Sequence, residues 1–239
     1  MQLKNHLIII VIILSVFSCE KEITTSFSEV KFTSVKNDMV LVNIPKANGN
    51  TTVSEHINSE IKRTVVRSIT PKNENIDDIS IEESIGGFET SYSSFINDFP
   101  ESKQIWEIQI DSDVMYQSDE IISIAITSYK NTGGAHGNLV ITLINFDAQT
   151  GYKIPNQDLF KDFEDFKGIA KINFDKTIED PNILFDSSSF RLPENMGYTE
   201  EGLLLLYNTY EIAPYSSGTI EFTIPFEKLE SLLVFNGLQ

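Results

Sequence analysis

Apolar and polar positions change period several times along the chain, and each change marks an element. Val30 to Val35 and Met39 to Ile44 form two short β-like runs, the second broken by Pro45-Lys46-Ala47-Asn48-Gly49-Asn50. From Thr51 or Thr52, Val53, Ile57, Ile61, Val65 and Ile69 recur every four residues, with Lys62, Arg63 and Arg67 on the other side. That spacing predicts an amphipathic helix, with His56 at the boundary of its apolar stripe. Ile76 to Phe99 is acidic early and aromatic late, and predicts one helix, or two meeting near Gly86-Gly87. From Gln104 the period becomes two: Trp106, Ile108, Ile110, Val114 and Tyr116 face one way, and Glu107, Gln109, Asp111 and Asp113 the other. This is the pattern of a half-buried strand, with Trp106 expected against the helix bearing Ile57 and Ile61.

Ser118-Asp119 turns the chain, and Ile122, Ile124 and Ile126 return as an antiparallel neighbour. Leu139 to Phe146 is apolar on both faces, as a central strand is, and Asp147-Ala148-Gln149-Thr150-Gly151 turns again. Leu159, Phe160, Phe163, Phe166, Ala170 and Phe174 line one side of another long helix despite Gly168. Leu203 to Tyr210 reads as a strand, Ala213 to Gly218 as a loop, and Ile220, Phe222 and Ile224 as a strand. Pro225 then suits the first turn of a closing helix. The expected class is α+β: an antiparallel sheet packed against two or more long helices, in two intimately associated halves.

The first nineteen residues carry a different message. Lys4 precedes the apolar run Leu7 to Leu14, then Ser15-Val16-Phe17-Ser18-Cys19. The run is about half of the ~20 residues that a membrane span requires, so it reads as a secretory signal over 1–18. Cys19, the one cysteine of the chain, stands at the cleavage point after small Ser18, as in a lipoprotein signal. Acylated Cys19 would then tie the chain to membrane lipid. Polar residues 19–28 would form a tether, followed by halves at 29–130 and 131–239 in the cell envelope, outside the cytoplasm. With one cysteine, an internal disulfide is ruled out and packing must hold the body together.

Charge narrows the partners. The chain holds 35 acidic and 18 basic residues, a net charge of −17. Losing the signal's Lys4 takes −17 to −18. Such a body repels phosphodiesters, so nucleic acid is excluded as a partner, whereas a cationic protein is favoured.

The segment Thr132-Gly133-Gly134-Ala135-His136-Gly137-Asn138, directly after a strand, resembles the T-G-G-A-H-G signature of the extracytoplasmic domain shared by RsiV anti-sigma factors and PdaC peptidoglycan deacetylases. Asn145-Phe146-Asp147, Thr150-Gly151 and Leu159-Phe160 are similar to that family's next segment. Gly202 to Leu229 resembles its closing block, in which a Tyr-Glu-Ile-x-Pro-Tyr-x-x-Gly loop, here Tyr210 to Gly218, joins two strands. The resemblance implies a paired domain presenting a recognition surface, which binds lysozyme in the anti-sigma members and accompanies a catalytic domain in the deacetylases. No segment ahead of Leu7 is long enough to hold a sigma factor, and none after Leu229 to be a deacetylase, so the expectation is the shared module on a lipid tether.

The candidate ligand-binding residues are His136, Asn138, Tyr210 and Tyr215. Gly133, Gly134, Gly137, Pro214 and Gly218 are candidate shapers of the loops. A histidine between glycines reads first as a hydrogen-bonded turn, second as a ligand contact and last as a catalytic base. A metal site is not expected, since catalytic metals usually take three protein ligands and the chain has only three histidines, one of them inside the signal. Asp111 and Asp113 share a strand face and read as an acid pair or as solvated surface. No catalytic residue set and no cofactor is expected. Three readings stay open: a binder of a cationic, lysozyme-like hydrolase, a cell-wall glycan-binding module, and a hydrolase whose residues carry no recognisable motif.

Overall fold

The structure, a computed structural model, describes residues 25–35, 38–71, 75–76 and 78–235. The signal, Cys19 and Asp77 lie outside them. Strands β1 (Ser26–Thr33) and β2 (Val40–Asn48) are followed by helices α1 (Thr51–Ile69) and α2 (Ile81–Asp98). Strands β3 (Glu107–Gln117), β4 (Ile121–Asn131), β5 (Asn138–Asp147) and β6 (Lys153–Ile154) then precede helix α3 (Phe163–Thr177), and β7 (Asn195–Thr199), β8 (Gly202–Tyr207) and β9 (Ile220–Ile224) close the chain. The class is α+β. β1 to β6 make one sheet in sequence order, and β7 to β9 make a second.

The large sheet is mixed, not antiparallel throughout, because β2 runs parallel to β3. The two strands are joined through α1 and α2, and a connection of that length permits parallel pairing. β2 also continues through Pro45, which pairs with Glu29 of β1. Its pairing with β3 stops at Asn43, so beyond that point one edge is free and a proline is tolerated there. β1 begins at Ser26 and takes in the last residues of the polar stretch that reads as tether.

α1 starts where Asn50 accepts hydrogen bonds from the amides of Thr52 and Val53, satisfying two of the orphan donors of a first turn. Its stripe of Val53, Ile57, Ile61, Val65 and Ile69 is buried. Truncating a residue such as Ile57, with 0% exposure, to alanine costs ~2–5 kcal/mol. α2 is one helix running through Gly86 and Gly87, and its start at Ser80 is a capping box with Glu83. Both helices cover one face of the large sheet, where Val40, Val42, Ile108, Ile110, Ile122, Ile124, Ile144 and Phe146 complete a core.

A second core lies with the small sheet and α3, and includes Phe166, Ala170, Phe174, Tyr198, Leu203, Leu205 and Ile224. Tyr116 belongs to it, away from Ile108, Ile110 and Val114. The expected single face fails because the ladder steps from Val114 to Tyr116 across a bulge, and the extra residue reverses which side the next one faces. Leu139 to Phe146 is apolar on both faces although β5 is not central: only the two-residue β6 lies beyond it. Ile144 and Phe146 enter the helix-side core, while Leu143 lies against Gly197 of β7.

Asn145 joins the two sheets. With 1% exposure, its Nδ2 donates to Met196 O at 2.8 Å and its Oδ1 accepts from Ser123 Oγ at 2.5 Å. The Ser123 hydroxyl in turn accepts from the Tyr198 amide, and Asn195 Oδ1 takes the Leu143 amide.

Three further expectations are corrected. The stretch around Leu159 is a 3-10 turn over Asn156–Leu159, and α3 begins only at Phe163 behind its cap Asp162. Pro225 opens a single 3-10 turn, Phe226–Lys228, instead of a helix. Trp106 is only partly buried: it packs against the core that contains Ile57 and Ile61, and its nearest rings are those of α2, with Phe88, Tyr92 and Phe95 at 5.7, 5.7 and 5.2 Å.

Candidate functional site

The signature loop joins β4 to β5, and its tight geometry starts from Asn131, whose Oδ1 accepts from the Gly133 amide at 3.0 Å. Gly133 has φ +86°, and a Cβ there would collide with the Gln104 side chain, which donates to Gly133 O at 2.8 Å. The positive φ is what demands glycine, since the Gln104 side chain could swing aside. At Gly137 the reason is space, since a Cβ would run into the Tyr129 ring. Gly134 shows neither constraint, its Cβ position being in ordinary contact with His136 O.

The second loop is fixed from the other side. Asn208, just past β8, clasps the Ile141 backbone with both ends of its amide: Nδ2 donates to Ile141 O and Oδ1 accepts from Ile141 N, each at 2.8 Å. Glu211 accepts from the Asn208 and Glu194 amides, both at 2.9 Å. Pro214 leads into a 3-10 turn over Tyr215–Ser217, and Gly218 ends it with φ +68°.

These supports bring the two loops together. The His136 ring stacks on Tyr215, centroids 3.7 Å apart and planes 18° from parallel. Tyr215 donates its hydroxyl to Gly137 O at 3.3 Å. His136 Nδ1 lies 2.8 Å from the same carbonyl; a carbonyl can only accept, so Nδ1 carries a proton. Nε2 then faces the Tyr210 hydroxyl at 3.5 Å, and the Tyr210 and Tyr215 rings are 5.8 Å apart. Tyr210 is 54% exposed and holds φ +66°, a conformation costing a non-glycine residue on the order of 1–3 kcal/mol.

Asn138 follows the loop but points elsewhere. It lines a cleft of about 650 Å³ with α1 residues Arg63, Thr64 and Arg67. Of the other sequence candidates, Asp111 accepts from Gln109 Nε2 at 2.8 Å, and His56 stacks on Tyr152 at 4.0 Å with Nδ1 2.8 Å from Thr150 O. Among the described residues no three His, Cys, Asp or Glu side chains gather as metal ligands would. Sequence reading missed Gln104, Tyr129, Asn208 and Glu211, whose roles arise from contacts between distant segments.

Fold and loops define a two-sheet α+β module with an exposed aromatic cluster on paired loops. A family model described as Deacetylase PdaC matches residues 33–139, and one described as Protein of unknown function (DUF3298) matches residues 152–227. The chain thus carries matches to both domains in tandem, consistent with a PdaC/RsiV-type extracytoplasmic domain family. The PdaC match includes the loop with His136, and the DUF3298 match includes Tyr210 and Tyr215, so the cluster forms where the two meet. A crystal structure of a DUF3298 family protein from Pseudomonas aeruginosa PAO1 superposes with a TM-score of 0.61 at 21% identity, covering 91% of this chain and 97% of that one. A DUF3298 family member from Bacteroides fragilis NCTC 9343 gives 0.62 at 18% identity, covering 89% and 94%. At these identities the likeness concerns the fold. No curated protein matches the chain.

Proposed function

We propose that this chain is a lipid-anchored, non-enzymatic recognition protein of the cell envelope. In this reading, loops 132–138 and 208–218 bind a strongly basic cell-wall hydrolase of the lysozyme class. The observation that carries it is the cluster of exposed His136 and Tyr210 on half-buried Tyr215, braced from both domains and strained at Tyr210. Aromatic side chains fixed in place are the usual energetic centres of protein interfaces, since little rotamer freedom remains to be lost. The net charge of −17 raises encounter with a basic partner ~10–10³-fold.

PdaC-type domains are extracytoplasmic, and no helix of the described residues is long and apolar enough to cross a membrane. Anchoring therefore falls to Cys19 in this reading. β1 starts at Ser26, so the tether spans at most ~25 Å at ~3.5 Å per residue and keeps the body beside the bilayer. A cell-wall glycan laid on the same rings is the second reading, favoured by the exposed Tyr210 face. Calorimetric titration separates the two. A lysozyme complex weakens steeply with salt, whereas stacking of an uncharged saccharide does not. His136→Ala and Tyr215→Ala should reduce either interaction without unfolding the body.

A further inference from the structure

The helix-side face of the β4–β5 pair changes character along its length. Ile122 pairs with Phe146 and Ile124 with Ile144, all inside the core, but the next cross-strand pairs are Ile126 with Thr142, Ser128 with Val140 and Lys130 with Asn138. Where a continued core would place apolar residues, Ser128, Asn138 and Thr142 form a polar floor. The wall is α1, which presents Arg63 and Arg67 one turn apart on its exposed side. The resulting cleft, about 650 Å³, lies within the ~300–1,000 Å³ typical of small-ligand sites.

Its charge opposes that of the whole chain. Arg63, Arg67, Lys130 and Lys153 line it, with Glu60 as the one carboxylate. Glu60 is taken by Lys153 at 2.9 Å. Lys130 is anchored as wall: its ammonium donates to Ile69 O at 2.8 Å and lies 5.7 Å from the Phe88 ring centroid. Neither arginine is within ion-pair distance of a carboxylate among the described residues. Like charges four apart on a helix repel, and this chain has 35 acidic residues from which a partner could have come. Beside them Thr70, 8% exposed, has a buried hydroxyl with no hydrogen-bond partner.

We propose that this cleft binds an oxyanion-bearing saccharide, with Arg63 and Arg67 gripping its carboxylate or phosphate. Guanidinium forks match both oxyanions in planar, two-pronged fashion, and the hydroxyls and amide of Ser128, Thr142 and Asn138 suit sugar hydroxyls. The site is separate from the aromatic cluster and independent of what that cluster binds.

The test is calorimetry on the full chain in neutral detergent, with N-acetylmuramic acid, glucose 6-phosphate, uncharged N-acetylglucosamine and inorganic sulfate as titrants. Saturable binding of either acidic sugar, at least tenfold weaker for N-acetylglucosamine and at least tenfold weaker in the Arg63→Gln/Arg67→Gln variant, is the expected result. Which acidic sugar binds identifies carboxylate or phosphate as the oxyanion. His136→Ala should leave this binding unchanged, and the double arginine variant should leave lysozyme binding at the loops unchanged. Both arginines are exposed, so the variant should melt as the parent does. Should it melt lower, Thr142→Val, which removes one floor hydroxyl, must still weaken the sugar. Absence of saturable binding by both acidic sugars, or equal binding of sulfate, or equal affinity in the arginine variant, overturns the proposal.

Discussion

Replacing Asn145 by alanine should separate the two sheets energetically without touching either hydrophobic core. Asn145 gives one hydrogen bond to Met196 O and takes one from Ser123 Oγ, and both Asn145 and Ser123 are essentially without solvent contact. The truncation leaves a carbonyl and a hydroxyl without their partner in a dry interface, at ~1–3 kcal/mol each. Ser123 retains its bond from the Tyr198 amide, which favours the lower half of that range on its side. A loss of ~3–4 kcal/mol follows, against a total stability on the order of 5–15 kcal/mol. For a body of this size each kcal/mol moves the melting midpoint by ~2–4 °C, so the shift should be roughly 6–16 °C. Denaturant titration by circular dichroism measures the loss, and amide exchange at Tyr198 and Leu143 localises it. Asn145→Asp should be no better than alanine, because its second oxygen would face the Met196 carbonyl. A loss below about 1 kcal/mol for Asn145→Ala, with exchange at Tyr198 unchanged, would refute the polar bridge.

Two other outcomes are expected. Mass spectrometry of the mature N-terminus should find Cys19 acylated, and a Cys19→Ala protein that stays membrane-bound would disprove the anchor. Hydrogen bonds from Ser80 hold the Glu83 carboxyl below its usual value of 4.5, so its contribution to folding is present above that value and fades as pH falls through the lowered one. Glu83→Gln should therefore flatten the pH dependence of stability below about 4.5, seen as melting curves of parent and variant that converge in acid.

What could be read from the sequence was whatever depends on local period or fixed motif. α1 was legible because Val53 to Ile69 keeps a four-residue stride, and the β3 and β4 hairpin because its apolar residues alternate. The signature loop was legible because glycines flank His136. Features set by distant contacts were not. Nothing near Val40 announces a parallel partner at Ile108, and the bulge that turns Tyr116 into the second core has no local signature. β5 looked central because two different layers cover its faces, which composition alone reports identically. Pro225 begins a 3-10 turn or a helix with the same residues, and the isolated bridge from Phe160 to Leu233 shows the segment after that turn docking instead of continuing as helix. Arg63 and Arg67 read as an ordinary solvated helix face, since the polar floor opposite them comes from strands more than sixty residues away.

The recognition account rests on the paired loops, and titration of a basic lysozyme into the full chain at low ionic strength tests it most directly. The account predicts saturable binding that weakens in concentrated salt. His136→Ala and Tyr215→Ala should each reduce affinity about tenfold or more, a loss of ~1.4 kcal/mol, with unchanged melting. Absence of saturation, or equal binding by another basic protein of the same size, would contradict it.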